Sequence, residues 1–347
     1  MKILFLCSNG QTEASMRFRV EAFLPWLERA GHQPHVSTFF SEAGDGGWGR
    51  RVIAGFGGRL LDLLRARTVD RIFIHREILP LALNQLVYAL PSDTPLLFDF
   101  DDAVFLQRTG GLRNRLACPA STRLLVERAN LVYAGNEYLA DYARQFSTRV
   151  KILPTVVDTD RFAPGNRPAS TTLPVVGWVG SPSTSPYLDA ILPALDRVAR
   201  EVPFHLRLVG AGRKLRLDHA EVENVPWRLS EEVAAFQALD VGIYPLADDD
   251  WSRGKCGFKA IQFMACGVPF IASPVGVVRD IVRPGQDGLL AHTQEEWIEN
   301  LVDLLRSPSL RQKLGSSGRH RAVEHYSVAS IGPDWIRGVV NPGDISC

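Results

Sequence analysis

The sequence predicts an α/β protein made of two doubly wound, parallel-sheet domains, and three observations carry that reading. A short apolar run over Lys2–Cys7 ends in the polar turn Ser8-Asn9-Gly10 and gives way to a helical pattern, the usual opening of a doubly wound sheet. The same opening recurs at Val175, where Val175-Val-Gly-Trp-Val179 runs into a Gly/Ser turn and a second helical pattern. At 347 residues the chain is long for one core, so two domains fit.

Taken in order, the first half alternates strand and helix, the pattern of a parallel sheet. The helix expected over 16–31 carries Phe18, Phe23, Leu24 and Leu27 at helical spacing and stops at Gly31. Arg17 and Arg19 lie at its start, facing the crevice outside the strand ends. They read either as anion ligands or as exposed arginines, Arg17 pairing with Glu13 or Glu21. Further strands are expected near 34–38 and at 71–75, 96–99, 131–134 and 150–153.

Residues 44–68 stand apart, mixing glycines with Trp48, Phe56, Leu60, Leu61, Leu63, Leu64 and five arginines. Two readings fit: a basic amphipathic element lying on an anionic membrane or over a lipid-linked acceptor, or a helix packed on its own sheet. At the end of the 96–99 strand comes the acidic cluster Asp99, Asp101, Asp102. These carboxylates could hold sugar hydroxyls or a proton, form a DxD metal pair from Asp99 and Asp101, or cap the following turn.

The stretch 154–174, rich in Pro, Asp, Ser and Thr, is the expected interdomain linker. After it, Gly180 and Ser181 begin a turn that offers hydroxyls and N–H groups to an anion. Ser185-Pro186 reads as a cap and first helical residue, with Leu188, Ile191, Leu195 and Val198 on one face. Strands follow at 204–210, ending in Gly210-Ala-Gly212, and at 240–246.

The most informative stretch runs from Ser252 to Ser273. Gly254 and Gly257 would let the backbone approach a ligand and open a short helix, whose start presents N–H groups, near Gly257 and Phe258, and a positive dipole end. Arg253, Lys255 and Lys259 add cations there, Gly267 stops the helix, and Pro269 begins a strand. This is a site for a phosphate or diphosphate without a metal. The alternative is an ordinary loop-helix-strand with surface lysines.

Composition excludes several classes. With 46% hydrophobic and 22% charged residues and a net charge of +1, nothing argues for nucleic acid as partner. No apolar run reaches the length of a membrane span, and the first strand meets its turn too early for a signal peptide. The five cysteines form no CxxC pair, which fits a reducing, cytoplasmic setting. There is no HExxH, GxSxG or P-loop motif. Neither sheet opening has GxGxxG spacing, which argues against a nicotinamide-dependent dehydrogenase.

The stretch Gly254–Ser273, with Gln262-Phe-Met-Ala-Cys-Gly-Val-Pro-Phe-Ile-Ala-Ser273, resembles the donor-binding segment of the retaining glycosyltransferases of family 4. Gly135-Asn-Glu-Tyr-Leu-Ala140, Leu153-Pro-Thr-Val-Val-Asp158 and Val209-Gly-Ala-Gly212 fall where that family places similar stretches. The resemblance implies the GT-B fold, two Rossmann-like domains facing each other across a cleft. It implies an acceptor domain over 1–165, a donor domain over 172–325 and a segment 326–347 that crosses back to the first domain. The family's usual pair of glutamates is absent, because those positions read Gly254 and Gln262. The basic residues usual after the first strand of the second domain are replaced by Ser181-Pro-Ser-Thr184. Gln262 can still hydrogen-bond a ribose diol, and Arg253, Lys255 and Lys259 are expected to supply the diphosphate's countercharge.

The expected function is a retaining, metal-independent glycosyltransferase using a nucleotide-sugar, UDP- or GDP-linked, as donor substrate, with no cofactor. Its acceptor would be a sugar, lipid-linked or other small molecule, with peripheral membrane contact through residues 44–68. Asp101, Asp102 and Lys255 are the expected catalytic residues. Gly180, Ser181, Gly210, Arg253, Lys255, Gly257, Phe258, Lys259 and Gln262 are the expected donor ligands. The loss of both glutamates keeps open a non-catalytic nucleotide-sugar-binding protein or scaffold, and a nucleotide-sugar epimerase would need carboxylate pairs that have no place here.

Overall fold

The computed structural model describes residues 1–10, 12–40, 48–107, 117–165 and 173–343. Residues 44–47 of the basic segment and 166–172 of the expected linker lie outside the described residues. The chain forms two compact units. The first comprises Met1–Val156, the tripeptide Gly254–Cys256 and the stretch from Ile331; the second comprises Val157–Arg253 and Gly257–Ser330. The division falls between Val156 and Val157, inside the stretch 154–174 expected as the linker, so residues 157–165, expected in the first domain, belong to the second unit.

The first unit holds a six-stranded sheet in the order β2-β1-β3-β4-β5-β6. Its strands are β1 Lys2–Cys7, β2 Gln33–Thr38, β3 Arg71–His75, β4 Leu96–Phe100, β5 Leu131–Ala134 and β6 Val150–Ile152. All neighbouring pairs are parallel. The central strands β3, β4 and β5 are buried almost throughout, as unbroken apolar runs covered on both faces must be. The chain leaves β1 to one side for β2 and returns to its other side for β3, so the topological switch point lies at the ends of β1 and β3. Trp335, from the helix Val328–Val340, is fully buried in this unit and stacks on Phe23 at 4.4 Å.

The helix expected over 16–31 is broken. Ala14–Arg19 ends at Val20, a 3-10 turn covers Glu21–Phe23, and Leu24–Arg29 begins a new helix. Pro25 accounts for the break: it lacks an N–H and is tolerated only in a first turn.

The second unit repeats the plan in the order β12-β11-β10-β7-β8-β9. The strands are β7 Val175–Val179, β8 His205–Val209, β9 Glu221–Val225, β10 Val241–Tyr244, β11 Phe270–Ala272 and β12 Leu289–Leu290. These pairs are parallel as well, and the switch point lies between β7 and β10. The sequence gives no sign of β9 or β12. The first is a half-exposed edge strand with two glutamates, and the second is only two residues long. After β7 the chain forms a 3-10 helix, Ser185–Ala190, before the helix Leu192–Glu201.

Candidate active site

In the first unit the ends of β1, β3 and β4 carry one continuous polar network. Asp99, the fourth residue of β4, is wholly buried and ion-pairs with Arg19, which is also 0% exposed. Arg19 further donates to the Leu153 carbonyl at 2.5 Å. His75, the last residue of β3, places Nδ1 at 2.8 Å from Asp99 and Nε2 at 2.7 Å from Ser15 Oγ. Ser15 in turn donates to Asp101 at 2.6 Å.

Arg76 closes the network. It donates to Asp101, Asp102 and Glu13, each at 2.6 Å. It adopts φ 64°, a left-handed backbone that only a tightly packed site holds in a residue with a side chain. Its N–H donates to the Asp99 carbonyl at 2.8 Å, which locks that turn to the neighbouring strand.

Of the two readings of the helical arginines, the exposed one fails. Neither is exposed: Arg19 neutralises Asp99, and Arg17 is buried with its guanidinium over the Phe18 ring. Glu13 pairs with Arg76. The DxD reading also fails on geometry, since the Asp99 oxygens are taken by Arg19 and His75. Among the described residues no group of three or more His, Cys, Asp or Glu side chains could hold a metal ion.

The shared arginine drives the two remaining carboxylates apart. Burial opposes ionisation of Asp101, but Arg76, with His75 and Arg19 behind it, outweighs burial and holds Asp101 well below the usual carboxylate range. At Asp102 burial dominates; Arg76 and Lys255 oppose it, Asp101 and Glu13 add to it, and the carboxyl is raised. Asp102 keeps 22% of its side chain exposed, against 9% for Asp101, so it is the carboxylate a ligand reaches.

The tripeptide Gly254–Cys256 is part of this unit. Asn136 accepts from the Leu139 N–H as a helix N-cap and donates to the Lys255 carbonyl at 2.9 Å. Cys256 donates to the Asp101 carbonyl at 3.0 Å. Burial pushes its thiol pKa up, so it is no nucleophile. Asp101, Asp102 and the charge of Lys255 are therefore brought together. Gly254 does not face a ligand. A Cβ there would lie 2.6 Å from that of Ala103 and 3.1 Å from its nitrogen, so the protein itself fills the space. The position where the family pattern carries a glutamate admits no side chain in this packing.

The remaining expected residues belong to the second unit: Gly180 and Ser181 follow β7, Gly210 follows β8, and the others lie over 253–262. Gly180 and Gly210 lie against each other, since a Cβ on Gly210 would collide with the Gly180 carbonyl. The N–H of Gly180 donates to Val209 O at 3.0 Å and that of Ser181 to Thr184 Oγ1 at 3.1 Å. The turn thus presents hydroxyls, while those two N–H groups, expected to receive an anion, are used within the unit. Arg253 is exposed and pairs with Asp248 at 2.8 Å and Asp250 at 3.3 Å, which spends its charge locally.

The helix expected at Gly254 starts later, over Phe258–Ala265, with Gly257 as a left-handed N-cap at φ 62°. That glycine is required by packing as well, because a Cβ would strike Ile281. The helix ends as expected in a Schellman turn. The Val268 N–H donates to Phe263 O and that of Gly267 to Met264 O, both at 2.9 Å. Lys259 donates to Gln262 Oε1 at 2.8 Å and lies 5.4 Å from the Phe236 ring. Lysine can only donate, so that bond assigns the amide: Gln262 Nε2 is the other end, fully buried, with no hydrogen-bond partner among the described residues. An unmet buried donor of this kind calls for an explanation.

Residues 173–307 match the family model described as glycosyl transferases group 1. A GDP-mannose-dependent alpha-(1-6)-phosphatidylinositol monomannoside mannosyltransferase from Mycolicibacterium smegmatis is 29% identical over 52% of this chain and 53% of its own. A D-inositol 3-phosphate glycosyltransferase from Rhodococcus erythropolis is 28% identical over 52% of this chain and 46% of its own. The match thus spans about half the length of these curated relatives. Among solved structures, a glycosyltransferase from Rickettsia africae superposes with a TM-score of 0.72 at 13% identity, covering 99% of both chains. Anabaena HepE, solved with UDP and glucose, gives 0.66 at 16% identity over 98% of this chain and 99% of its own. Two parallel six-stranded sheets and the solved neighbours that share them give this chain the GT-B fold of those glycosyltransferases, and residues 173–307 are similar to the group 1 glycosyl transferase model.

Proposed function

We propose that this protein is a retaining, metal-independent glycosyltransferase that moves a sugar from a UDP- or GDP-linked donor to an acceptor hydroxyl, without a cofactor. The observation that carries the reading is the buried Gln262 amide, whose nitrogen has no acceptor among the described residues, at the position the family pattern assigns to ribose hydroxyls. In this reading the second unit binds the donor. Phe258 and Lys259 lie at the start of the helix Phe258–Ala265, whose positive dipole end, with the Lys259 ammonium, stabilises the diphosphate as negative charge builds on it. The turn hydroxyls at Ser181, beside Gly180 and Gly210, add further donors.

The first unit, in the same reading, binds the acceptor. Two carboxylates whose ionisation is pushed apart divide the acid-base work. Asp101 stays ionised and anchors Arg76, while Asp102, raised and partly exposed, takes the proton of the acceptor hydroxyl. Lys255 tunes Asp102 downward. The curated relatives' names support a sugar or lipid-linked acceptor of the inositol-phosphate kind. The second reading, a nucleotide-sugar binder without turnover, is favoured by the packing of Gly254 on Ala103, which leaves no room for the family's carboxylate.

Release of nucleoside diphosphate from UDP- and GDP-sugars, measured with inositol phosphates or lipid-linked sugars as acceptors, tests the reading. Turnover by the wild type is expected, with Asp102→Asn slower by about 100-fold or more and donor affinity unchanged. Lys255→Ala is expected to move the acid limb of the pH–rate profile to higher pH, because a cation that lowers the Asp102 pKa is gone. Donor binding without turnover would establish the binder instead, and full activity of Asp102→Asn would remove Asp102 from the chemistry.

A further inference from the structure

The helix Trp48–Arg65 is folded inside out. Its inward face is Gly55, Arg59, Asp62 and, one turn on, Ala66, all buried. Arg59 is 2% exposed and donates to Ile78 O at 2.8 Å, Ser37 O at 3.2 Å, Asp62 at 3.0 Å and Cys7 O at 2.5 Å. Gly55 lies so close to Phe39 that a Cβ would approach its carbonyl oxygen to 2.6 Å. Those contacts fix the helix's rotation: turning it over would strip a buried guanidinium of its acceptors and press larger side chains onto Phe39.

The outward face is therefore apolar by construction. Ile53 is 74% exposed, Leu60 63%, Leu61 61%, Leu64 61% and Phe56 49%. These are five of the ten exposed large hydrophobic side chains among the described residues, at the spacing of a single stripe. Arg50, Arg51 and Arg65 are exposed on the same helix and Arg67 just beyond it, whereas its one acidic residue, Asp62, is buried. An apolar stripe with exposed arginines beside it, of which Arg65 also pairs with Asp62 at 3.2 Å, fits an anionic lipid surface, where leucines enter the acyl boundary and arginines meet headgroups. Among the described residues no helix is long and apolar enough to cross a membrane, so this one would lie in the plane.

We propose that the Ile53–Leu64 face docks the protein on an anionic lipid bilayer. It would bring the first unit to a membrane-borne acceptor, and in that respect it rests on the acceptor assignment above. Bilayer binding itself needs neither donor nor turnover. The test is co-sedimentation of the full chain with vesicles of phosphatidylcholine alone and of phosphatidylcholine mixed with phosphatidylglycerol.

Binding to the mixed vesicles only, weakened by salt, is expected. Arg50→Gln with Arg67→Gln should weaken it about fivefold per arginine, and Leu61→Glu with Leu64→Glu should abolish it. These side chains are exposed, so Tm and nucleotide response should not change in either variant. Failure of the wild type to bind mixed vesicles would overturn the proposal. So would a wild-type dimer that Leu61→Glu with Leu64→Glu converts to monomer, since the stripe would then belong to a second copy.

Discussion

Asp101 and Asp102 are neighbours with opposite electrostatics, and their stabilities should separate. The folded state depresses Asp101 below its unfolded value. Its contribution is therefore present above about pH 4 and lost as pH falls through the lowered pKa. Asp102 is raised, so its contribution is present below about pH 4 and lost as pH rises through the raised pKa. At neutral pH, Asp101→Asn should cost about 3 kcal/mol by leaving Arg76 short of a buried partner, while Asp102→Asn should leave stability unchanged or raise it. Thermal melts of both variants at pH 7 and pH 5 check the pair. The three aspartates could be read from the sequence as a cluster at a strand end. Their partners could not, because Ser15 and Arg76 reach Asp101 across 86 and 25 positions and no local pattern encodes a left-handed arginine. Arg19 was misread for the same reason: its countercharge lies 80 residues away.

At the level of elements, buried strands were legible and edges were not. An unbroken run such as Leu96–Phe100 announces itself, whereas Glu221–Val225 looks like surface because much of it is surface. The segment 252–273 was legible as turn, helix, stop and strand, but the role of its glycines was not. Gly254 and Gly257 resemble a ligand cradle in sequence, and in the structure each makes room for a side chain of the protein, Ala103 and Ile281. Restoring the family's carboxylate is therefore expected to harm the fold: Gly254→Glu should lower Tm, and even Gly254→Ala should cost about 1–3 kcal/mol. Unchanged melting of Gly254→Glu would mean that this position is open. The helix Trp48–Arg65 carries the same lesson in reverse. Its composition was legible as amphipathic and basic, but which face turned inward depended on Arg59 finding carbonyls on three other segments.

For the whole molecule, the repeated strand-turn-helix opening was enough to expect two parallel sheets, and each unit has one, with its switch point between the first strand and the strand that returns beside it. His75 and Arg76 at the end of β3 and Gly180 after β7 lie at the switch points, where open α/β sheets place ligands. The C-terminal stretch was legible only through resemblance, because nothing local to Trp335 reveals that it completes a core with Phe23, Phe5 and Phe73. The central claim is that the second unit is a nucleotide-sugar site with Gln262 as a ligand. Thermal shift with UDP, GDP, ADP, dTDP and CMP, with and without EDTA, on the wild type and Gln262→Leu, tests it most directly. One diphosphate should raise Tm by a few degrees at about 100 times its Kd, unaffected by EDTA, with apparent affinity about tenfold weaker in Gln262→Leu. A wild type that no nucleotide stabilises would contradict the account.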